Sequence, residues 1–225
     1  MRSLTLSFTY SLLFFGSSLS ADALDNNLEK STFSLHQEYC QFSGSFEQVK
    51  QLEGVDQGIV SNGVFFHHCD KGVIWSTTQP LIETLVMRRD GKGFVITDHE
   101  EQQLESRQGK FLSSLLNSLM SGDQNTIEKQ FELRISDIGI IQLTPRKRSL
   151  KRAIKSITVQ RSHEKKTVNI TIIDRNSQKT LINSVRTETY DNDFILDNCK
   201  KSISADSSIC GLLLHPINKN SANSN

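Results

Sequence analysis

Short segments of alternating apolar and polar residues recur along most of this chain, and turn residues bound each of them. Alternation with a period of two is typical of β-strands that have one buried and one solvated face. Closely spaced strands of this kind predict an antiparallel meander, because tight turns join antiparallel strands directly. The predicted strands are Phe42–Gln48, Ile59–His68, Val73–Thr77, Leu81–Arg88, Phe94–Thr97, Phe131–Ile135, Ile138–Leu143, Ile154–Gln160, Val168–Asp174 and about Leu181–Thr189.

One segment in the middle of the chain breaks this pattern and predicts a helix. Apolar residues between Phe111 and Met120 recur at positions that only a helix places on one stripe, and Gly122 ends the segment. Another amphipathic helix is predicted from about Asp25 to Tyr39. Because strand twist accumulates, a sheet of about ten strands curls. The predicted fold class is mainly β (α+β), a curled antiparallel sheet or incomplete β-barrel with helices as plug or lid.

The composition agrees with a sheet that is dry on one side and wet on the other. Hydrophobic residues are 36% of the 225 residues, which is low for a globular chain and disfavours a sheet buried on both faces. The 26 Lys and Arg residues nearly balance the 25 Asp and Glu residues. This balance argues against a dedicated nucleic-acid binder, whose basic excess is usually obvious.

The first twenty residues have the order of regions found in a secretory signal peptide. Arg2 precedes an apolar run that reaches Phe15, and small and polar residues follow up to Ser20. We predict cleavage after Ser20, with cleavage after Ala23 as the alternative. An uncleaved membrane anchor is disfavoured because the run is short and is interrupted by Ser and Thr. The mature protein is therefore expected to be exported.

Export to an oxidising compartment makes the four cysteines candidates for disulfides. Four cysteines allow three connectivities. The favoured one joins Cys199 to Cys210 across a short loop and leaves Cys40 to pair with Cys69. Free, buried cysteines are the alternative. No two of the cysteines form a C-x₂₋₄-C pair, so their spacing gives no zinc signature.

Two polar segments have both a binding interpretation and a plain structural one. The run from His67 to Asp70 contains metal-ligand residue types, but adjacent strand residues point to opposite faces, so a solvated strand end is favoured over a metal site. Nine basic residues lie between positions 146 and 166, where Glu164 is the one acid. In an exported protein this stretch suits anionic lipid headgroups or an acidic partner. A solvated basic loop and strand face is the alternative.

The catalytic motifs that are recognisable from sequence are missing. The chain has no G-x-S-x-G elbow, no H-E-x-x-H, no phosphate loop and no dinucleotide fingerprint. We therefore predict that the protein is not an enzyme and that it needs no cofactor and no metal ion.

Five short motifs follow one another along the predicted strands. They are F-S-G-S-F-E-Q over Phe42–Gln48 with Lys50, Ser61–Gly63, G-V-I-W-S-T-T-Q-P over Gly72–Pro80, Asp90–Gly91 and Leu143–Pro145. In order and spacing they resemble the LolA-like outer-membrane lipoprotein carrier family, over roughly residues 28 to 188. A basic residue beside a proline, which latches the lid in the carriers proper, is replaced here by Cys69 and Asp70. The resemblance is therefore to a divergent branch.

The resemblance implies a function and a domain organisation. A periplasmic carrier would hold lipid or lipoprotein acyl chains in a hydrophobic cavity and deliver them across the envelope without catalysis. Its partners would be an inner-membrane donor and an outer-membrane acceptor, and it would be a monomer that binds no nucleic acid. The expected domains are a signal peptide over 1–20, the carrier domain over 21–198 and a polar, partly disordered extension over 199–225. An envelope interaction module with a filled core, using its basic 146–166 face, is the alternative.

Strand alternation selects the side chains that would line such a cavity, if Gly44 lies on the concave face. The candidates from the sheet are Phe42, Phe46, Phe65, Val73, Trp75, Leu85 and Met87. The candidates from the mid-chain helix are Leu115, Leu116 and Leu119. Ordinary core packing is the alternative for each of them.

Overall fold

The described part of the chain forms one open antiparallel sheet of eleven strands. The computed structural model describes residues 39–54, 57–121, 123–162, 166–191, 193–204 and 207–214, with the backbone alone for 106–113 and 207. The strands are β1 (Gln41–Gln51), β2 (Ile59–His68), β3 (Gly72–Gln79), β4 (Glu83–Arg88), β5 (Gly93–Thr97), β6 (Glu101–Gln103), β7 (Phe131–Ile135), β8 (Ile141–Pro145), β9 (Ile154–Arg161), β10 (Thr167–Asp174) and β11 (Lys179–Tyr190). The predicted signal peptide, and the predicted first helix up to residue 38, lie outside the described residues.

The order of strands across the sheet is β6-β5-β4-β3-β2-β1-β11-β10-β9-β8-β7. Most neighbours are joined by short turns, and β1 lies in the middle between β2 and β11. The two ends of the sheet, β6 and β7, do not pair with each other, so the sheet is a half-barrel and not a closed one. The predicted fold class is confirmed.

Five helices accompany the sheet in the described part of the chain. They are α1 (Ser106–Ser121), α2 (Gln124–Glu128), α3 (Arg148–Lys151), α4 (Ile195–Ile203) and α5 (Ser207–Leu214). The predicted mid-chain helix is confirmed as α1, which begins at Ser106 and so extends five residues before Phe111. Among the described helices, none combines the length and the apolar character that crossing a membrane requires.

Two strands begin later than predicted because isolated apolar residues lie in turns. The fourth strand begins at Glu83, and Leu81 in the turn before it is 77% exposed. Ile138 was expected in a strand, but it is 79% exposed in a turn where Gly139 has a φ of 75°. A backbone angle of that sign favours glycine and interrupts a strand.

The sheet buries apolar side chains on both of its faces, although the composition predicted one wet face. The inner face carries Phe42, Phe65, Val73 and Met87 in a first cluster. The outer face carries a second, smaller cluster, in which Phe66, Ile74 and Val86 pack against Cys199, Ile203, Cys210 and Leu213. The outer face of β2 to β4 is therefore dry because α4 and α5 pack over it.

Helices α4 and α5 form this outer cover. Helix α4 packs on β1 and β2, and α5 packs on β3 and β4. The predicted domain boundary between residues 198 and 199 falls inside α4, so the chain does not leave the sheet there. It remains packed up to Leu214, and the rest of the predicted extension lies outside the described residues.

Covalent and polar contacts hold this cover in place. The structure contains both predicted disulfides. Cys199–Cys210 joins α4 to α5 within the cover. Cys40–Cys69 joins the residue before β1 to the residue after β2. The guanidinium of Arg88 in β4 donates to the carbonyl oxygen of Leu212 in α5, at 3.2 Å. The same side chain forms a two-point ion pair with Asp90, with Nη2 2.8 Å from Oδ2 and Nε 3.2 Å from Oδ1.

The end of β2 is not solvated, which corrects the prediction for the two histidines. His67 is 1% and His68 is 4% exposed. The His67 ring packs against the Phe42 ring on the inner face, with 4.7 Å between centroids. The backbone N–H of Asp70 donates to Nδ1 of His68 at 3.1 Å. Sγ of Cys40 lies 4.0 Å from Nδ1 of His68, so the disulfide contributes to the cover of that ring.

Gly44 and Gly63 lie beneath aromatic rings of the neighbouring strands. A Cβ on Gly63 would collide with the Ser76 carbonyl oxygen and would stand 2.6 Å from the Phe46 ring. Gly63→Ala should therefore lower the free energy of unfolding by about 1–3 kcal/mol, measured by urea denaturation. Gly211→Ala in α5 is the control, because a Cβ there meets no atom within 4 Å and alanine favours a helix. Equal effects of the two changes would contradict this packing.

His68 should make the stability depend on pH. Burial, with a smaller contribution from Lys71 and against the attraction of Asp70, lowers the pKa of His68 below its ordinary 6.5. The unfolded chain then binds a proton at pH values where the folded chain does not, so stability should fall as the pH drops below 6.5. In urea denaturation at several pH values, wild type should lose more stability than His68→Asn, by at most about 1.4 kcal/mol per pH unit. Identical pH dependences would refute the role of His68.

Candidate ligand-binding face

The inner face of β2 to β4 is built from residues that stand opposite one another. Phe65 of β2 faces Trp75 of β3, and Trp75 faces Leu85 of β4. Two residues along the strands, Val73 faces Met87. Directly opposite residues share one face of a sheet, so these five side chains form two adjacent rows of one apolar surface.

An aromatic stack holds the middle of this surface. The Phe46 ring lies on the indole of Trp75 with 4.0 Å between centroids, and the Phe65 ring is 5.7 Å from the same indole. Phe42 meets Phe65 edge to face at 6.1 Å. Such pairs contribute about 0.5–1.5 kcal/mol each beyond the burial of their area. Trp75 is nevertheless only partly buried, so part of its ring remains accessible.

Helix α1 covers one end of the inner face. It lies against β3, β4 and β5. Leu115 and Leu119 are buried beneath it, while Leu116 is partly exposed. Its position is also fixed by a polar contact, since Nε2 of Gln130 donates to the Ser114 hydroxyl at 3.0 Å. The apolar stripe between Phe111 and Met120 predicted this arrangement, an amphipathic helix over an apolar sheet face.

All ten residues predicted to line a cavity lie in this one cluster. Phe42, Phe46, Phe65, Val73, Met87, Leu115 and Leu119 are buried, and Trp75, Leu85 and Leu116 are partly buried against them. The register that was assumed from Gly44 therefore agrees with the placement of every side chain. That these residues bind a ligand stays a prediction.

The other half of the inner face was missed by the sequence analysis. It contributes Phe131, Ile141, Leu143, Ile157, Val159, Val168 and Ile170 as buried residues, and Leu133, Ile135, Ile154, Ile172 and Ile182 as partly buried ones. The signal was present, because Val168, Ile170 and Ile172 alternate along one predicted strand. Applying the alternation to strands β7 to β11 as well would have found them.

The described helices cover the inner face unevenly. Helix α1 lies on β3 to β5, α2 lies on β7, and α3 lies on β8 and β9. Between them, the inner side of β10 and β11 carries the partly exposed Ile172 and Ile182. Ile182 stands opposite the buried Ile170, and Ile172 lies two residues further along β10 on the same face. The apolar surface is thus continuous, but the described helices cover its two ends more fully than its middle.

The basic stretch between residues 146 and 166 divides into an exposed part and one inward side chain. Seven side chains are exposed: Arg146, Lys147, Arg148, Lys151, Arg152, Lys155 and Lys166. Arg161 is half-buried, and burial lowers its pKa to about 10. A group with this pKa remains protonated at neutral pH. Arg161 therefore places a positive charge beside an otherwise apolar face.

A polar hollow of about 320 Å³ lies between α1, the turn after β4 and the start of α2. Among the residues that line it are Asn117 and Ser118 of α1, Asp90 and Gly91 of the turn between β4 and β5, and Asp123. The Asp123 carboxylate caps α2 by accepting hydrogen bonds from the backbone N–H and the hydroxyl of Thr126. A hollow with this lining suits water and polar groups and not an acyl chain, so the inner face is the better candidate site.

One group of metal-ligand residue types lies together among the residues that the structure describes. The ligand atoms of Cys40, His68, Cys69 and Asp70 all lie within 4.8 Å of one another. Both cysteines are consumed by the disulfide between them. A cysteine binds a metal ion as its thiolate, which a disulfide cannot supply, so one imidazole and one exposed carboxylate remain as ligands. This donor set does not fit a protein metal site.

Comparison with known proteins supplies the family. The family model described as outer membrane lipoprotein carrier protein LolA matches residues 37–193. A LolA superfamily protein from Nitrosomonas europaea is 10% identical, with a TM-score of 0.43 over 74% of this chain and 93% of that one.

An outer membrane lipoprotein-sorting protein domain from Vibrio parahaemolyticus is 9% identical, with a TM-score of 0.42 over 80% of this chain and 97% of that one. No curated protein matches the chain. The family match spans most of the chain and includes every strand of the half-barrel. The resemblance seen in the motifs is thereby confirmed, and the chain belongs to the LolA family of outer membrane lipoprotein carriers.

Proposed function

We propose that this protein is a non-catalytic periplasmic carrier that binds the acyl chains of lipids or lipoproteins on the inner face of its sheet, under α1. The family to which it belongs consists of periplasmic, non-enzymatic carriers. The observation that carries the proposal is the continuous apolar inner face, which the described helices cover only in part.

The energetics of burial support this function. Removing a methylene group from water is worth about 0.8 kcal/mol, so a long acyl chain gains enough from burial to bind without a specific polar contact. The partly exposed Trp75, Leu85 and Leu116 offer apolar surface that is still in contact with solvent. An acyl chain laid against these side chains would remove that surface from water as well as its own.

Release would follow from movement of α1. A conformation in which α1 lies away from β3 to β5 exposes the apolar rows of the sheet, and an acceptor with higher affinity for the acyl chain then takes it. The polar contacts of α1, such as the one between Gln130 and Ser114, can be replaced by water at little cost. When an acyl chain enters, its contacts with the sheet can replace those that Leu115 and Leu119 make there.

The envelope interaction module remains the second candidate. The observation that favours it is that seven basic side chains between Arg146 and Lys166 are exposed, since exposed basic groups attract acidic partners or anionic membranes. The two candidates differ in the inner face, because an interaction module with a filled core would take up no acyl chain. Uptake experiments therefore decide between them.

Trp75 is the single tryptophan of the chain and lies in the proposed site, so it reports on binding directly. A fatty acid that carries bromine or a nitroxide on its acyl chain should quench the fluorescence of Trp75, because the chain lies against the indole. The same fatty acid without the label is the control and should leave the emission intensity largely unquenched. Binding of the labelled chain without quenching would place the site away from Trp75.

Leu116→Asp should abolish uptake of a fluorescent fatty acid, since a carboxylate beneath α1 disfavours the apolar ligand and weakens the contact of α1 with the sheet. Leu196→Asp introduces the same change on α4, at the outer face, and should leave uptake unchanged. Circular dichroism melts of both variants check that they fold. Unchanged uptake by folded Leu116→Asp would contradict the proposed role of α1.

A further inference from the structure

Arg161 is the last residue of β9 and lies on the inner face of the sheet. It stands opposite Val168 of β10, which stands opposite Ser184 of β11, and Ser184 stands opposite Phe46 of β1. Opposite residues share a face. Val168 and Phe46 both belong to the inner apolar cluster. The side chain of Arg161 therefore begins in the same row as the aromatic stack of the proposed acyl site.

Two of the three donor nitrogens of Arg161 are buried. Its Nε and Nη2 atoms are shielded from solvent, and neither has a hydrogen-bond partner among the residues that the structure describes. A buried donor that lacks a partner costs about 1–3 kcal/mol, and a charged group costs more. Burial lowers the pKa of this guanidinium, but to about 10 only, so the charge persists at neutral pH.

Other arginines of the chain show what these two atoms do when an acid is present. Nε and Nη2 of Arg88 hold both carboxylate oxygens of Asp90, at 3.2 and 2.8 Å. The same two atoms of Arg134 hold one oxygen of Glu132, at 3.0 and 2.8 Å. This edge of a guanidinium matches a carboxylate or a phosphate. In Arg161 the same edge is buried at the apolar face and holds no acid of the described chain.

The geometry points to Arg161 as the anion-binding group of the carrier, which takes an amphiphile whose acyl chain is joined to a carboxylate or phosphate headgroup. The inference rests on the proposed acyl site and narrows its cargo to anionic amphiphiles. The acyl chain would lie along the row that contains Val168 and Phe46, and the headgroup would accept hydrogen bonds from Nε and Nη2.

Arg186 strengthens the positive potential at this end of the inner face. It follows Ser184 by two residues in β11 and stands opposite Gly44, so it lies on the same face as Arg161. Its guanidinium lies 4.8 Å from the centre of the Tyr39 ring. Two arginines at one end of an apolar surface make a dipolar site, apolar along its length and positive at that end, which matches an anionic amphiphile.

The test compares ligands that share one acyl chain and differ in the headgroup. Oleate, oleyl phosphate and oleyl alcohol are titrated into wild type and Arg161→Gln, with Trp75 fluorescence as the readout. Wild type should bind the two anions about tenfold or more tightly than the alcohol, and Arg161→Gln should lose this preference while its affinity for the alcohol is kept. Oleate against oleyl phosphate distinguishes the carboxylate from the phosphate as the preferred headgroup, and either result supports the assignment.

Two further variants separate the effect of the paired donors Nε and Nη2 from the effect of the charge. They also separate it from the general attraction of the basic stretch for anions. Arg161→Lys keeps the charge without the paired donors and should retain only part of the preference. Arg152→Gln removes an exposed arginine of the same basic stretch and should change nothing. Urea denaturation without ligand should show no loss of stability in Arg161→Gln, since Nε and Nη2 have no hydrogen-bond partner to lose among the described residues. A large loss of stability would overturn the inference, because it would reveal a structural role.

The remaining outcomes distinguish the inference from the function on which it rests. If wild type binds all three ligands equally, the carrier function stands and the role of Arg161 is refuted. If wild type binds none of them, both are refuted. If inorganic phosphate competes with oleate at similar concentrations, Arg161 belongs to a site for free anions, and the assignment of an amphiphile is overturned.

Discussion

The pairing of β1 with β2 on one side and β11 on the other is the constraint on which the rest of this structure depends. Side chains alternate between the faces of a strand, so a shift of one residue would exchange the two faces. Gly44 and Gly63 oppose that shift, because each lies where the ring of Phe65 or Phe46 passes over the backbone. A side chain at either glycine would collide with the backbone of the next strand. The central register places Phe46, Phe65 and Trp75 in one aromatic stack, and the remaining strands follow from it.

The two faces that this register creates differ in how they are covered. The outer face is closed by α4 and α5, which a disulfide joins to each other, and Arg88 of β4 donates a hydrogen bond to α5. The inner face is larger, and its described cover is α1 with two short helices. Burial of the outer cluster stabilises the sheet. This stabilisation offsets the cost of apolar surface that the described helices leave partly exposed on the inner face. Helices α4 and α5 thus belong to the outer cluster and not to the cluster that forms the proposed acyl site.

The sequence was sufficient to predict ten of the eleven strands, α1 and the inward placement of the ten candidate residues, because each depends on a local period. The three-residue β6 was not predicted. Trp75 and Leu85, for example, take their face from alternation within their own strands. The sequence was insufficient where distant segments decide the outcome. His68 is polar and ends a strand, which predicts solvent exposure, but the disulfide and the neighbouring strand cover it. Helices α4 and α5 lie in a stretch whose polar composition predicted an extension, and they become ordered by packing on Phe66, Ile74 and Val86.

Arg161 shows the same limit at the proposed site. In the sequence it is one of nine basic residues between 146 and 166, and it lies one residue beyond the predicted strand Ile154–Gln160, so no face was assigned to it. The structure extends β9 to Arg161 and pairs it with Val168 of β10, on the inner apolar face. A charge held in such a place is unfavourable in the unliganded protein, and an anionic headgroup would relieve that cost only while the acyl chain occupies the face. The charge therefore couples recognition of the headgroup to burial of the chain. A carrier with this coupling would distinguish its cargo from neutral lipids that offer the same apolar area.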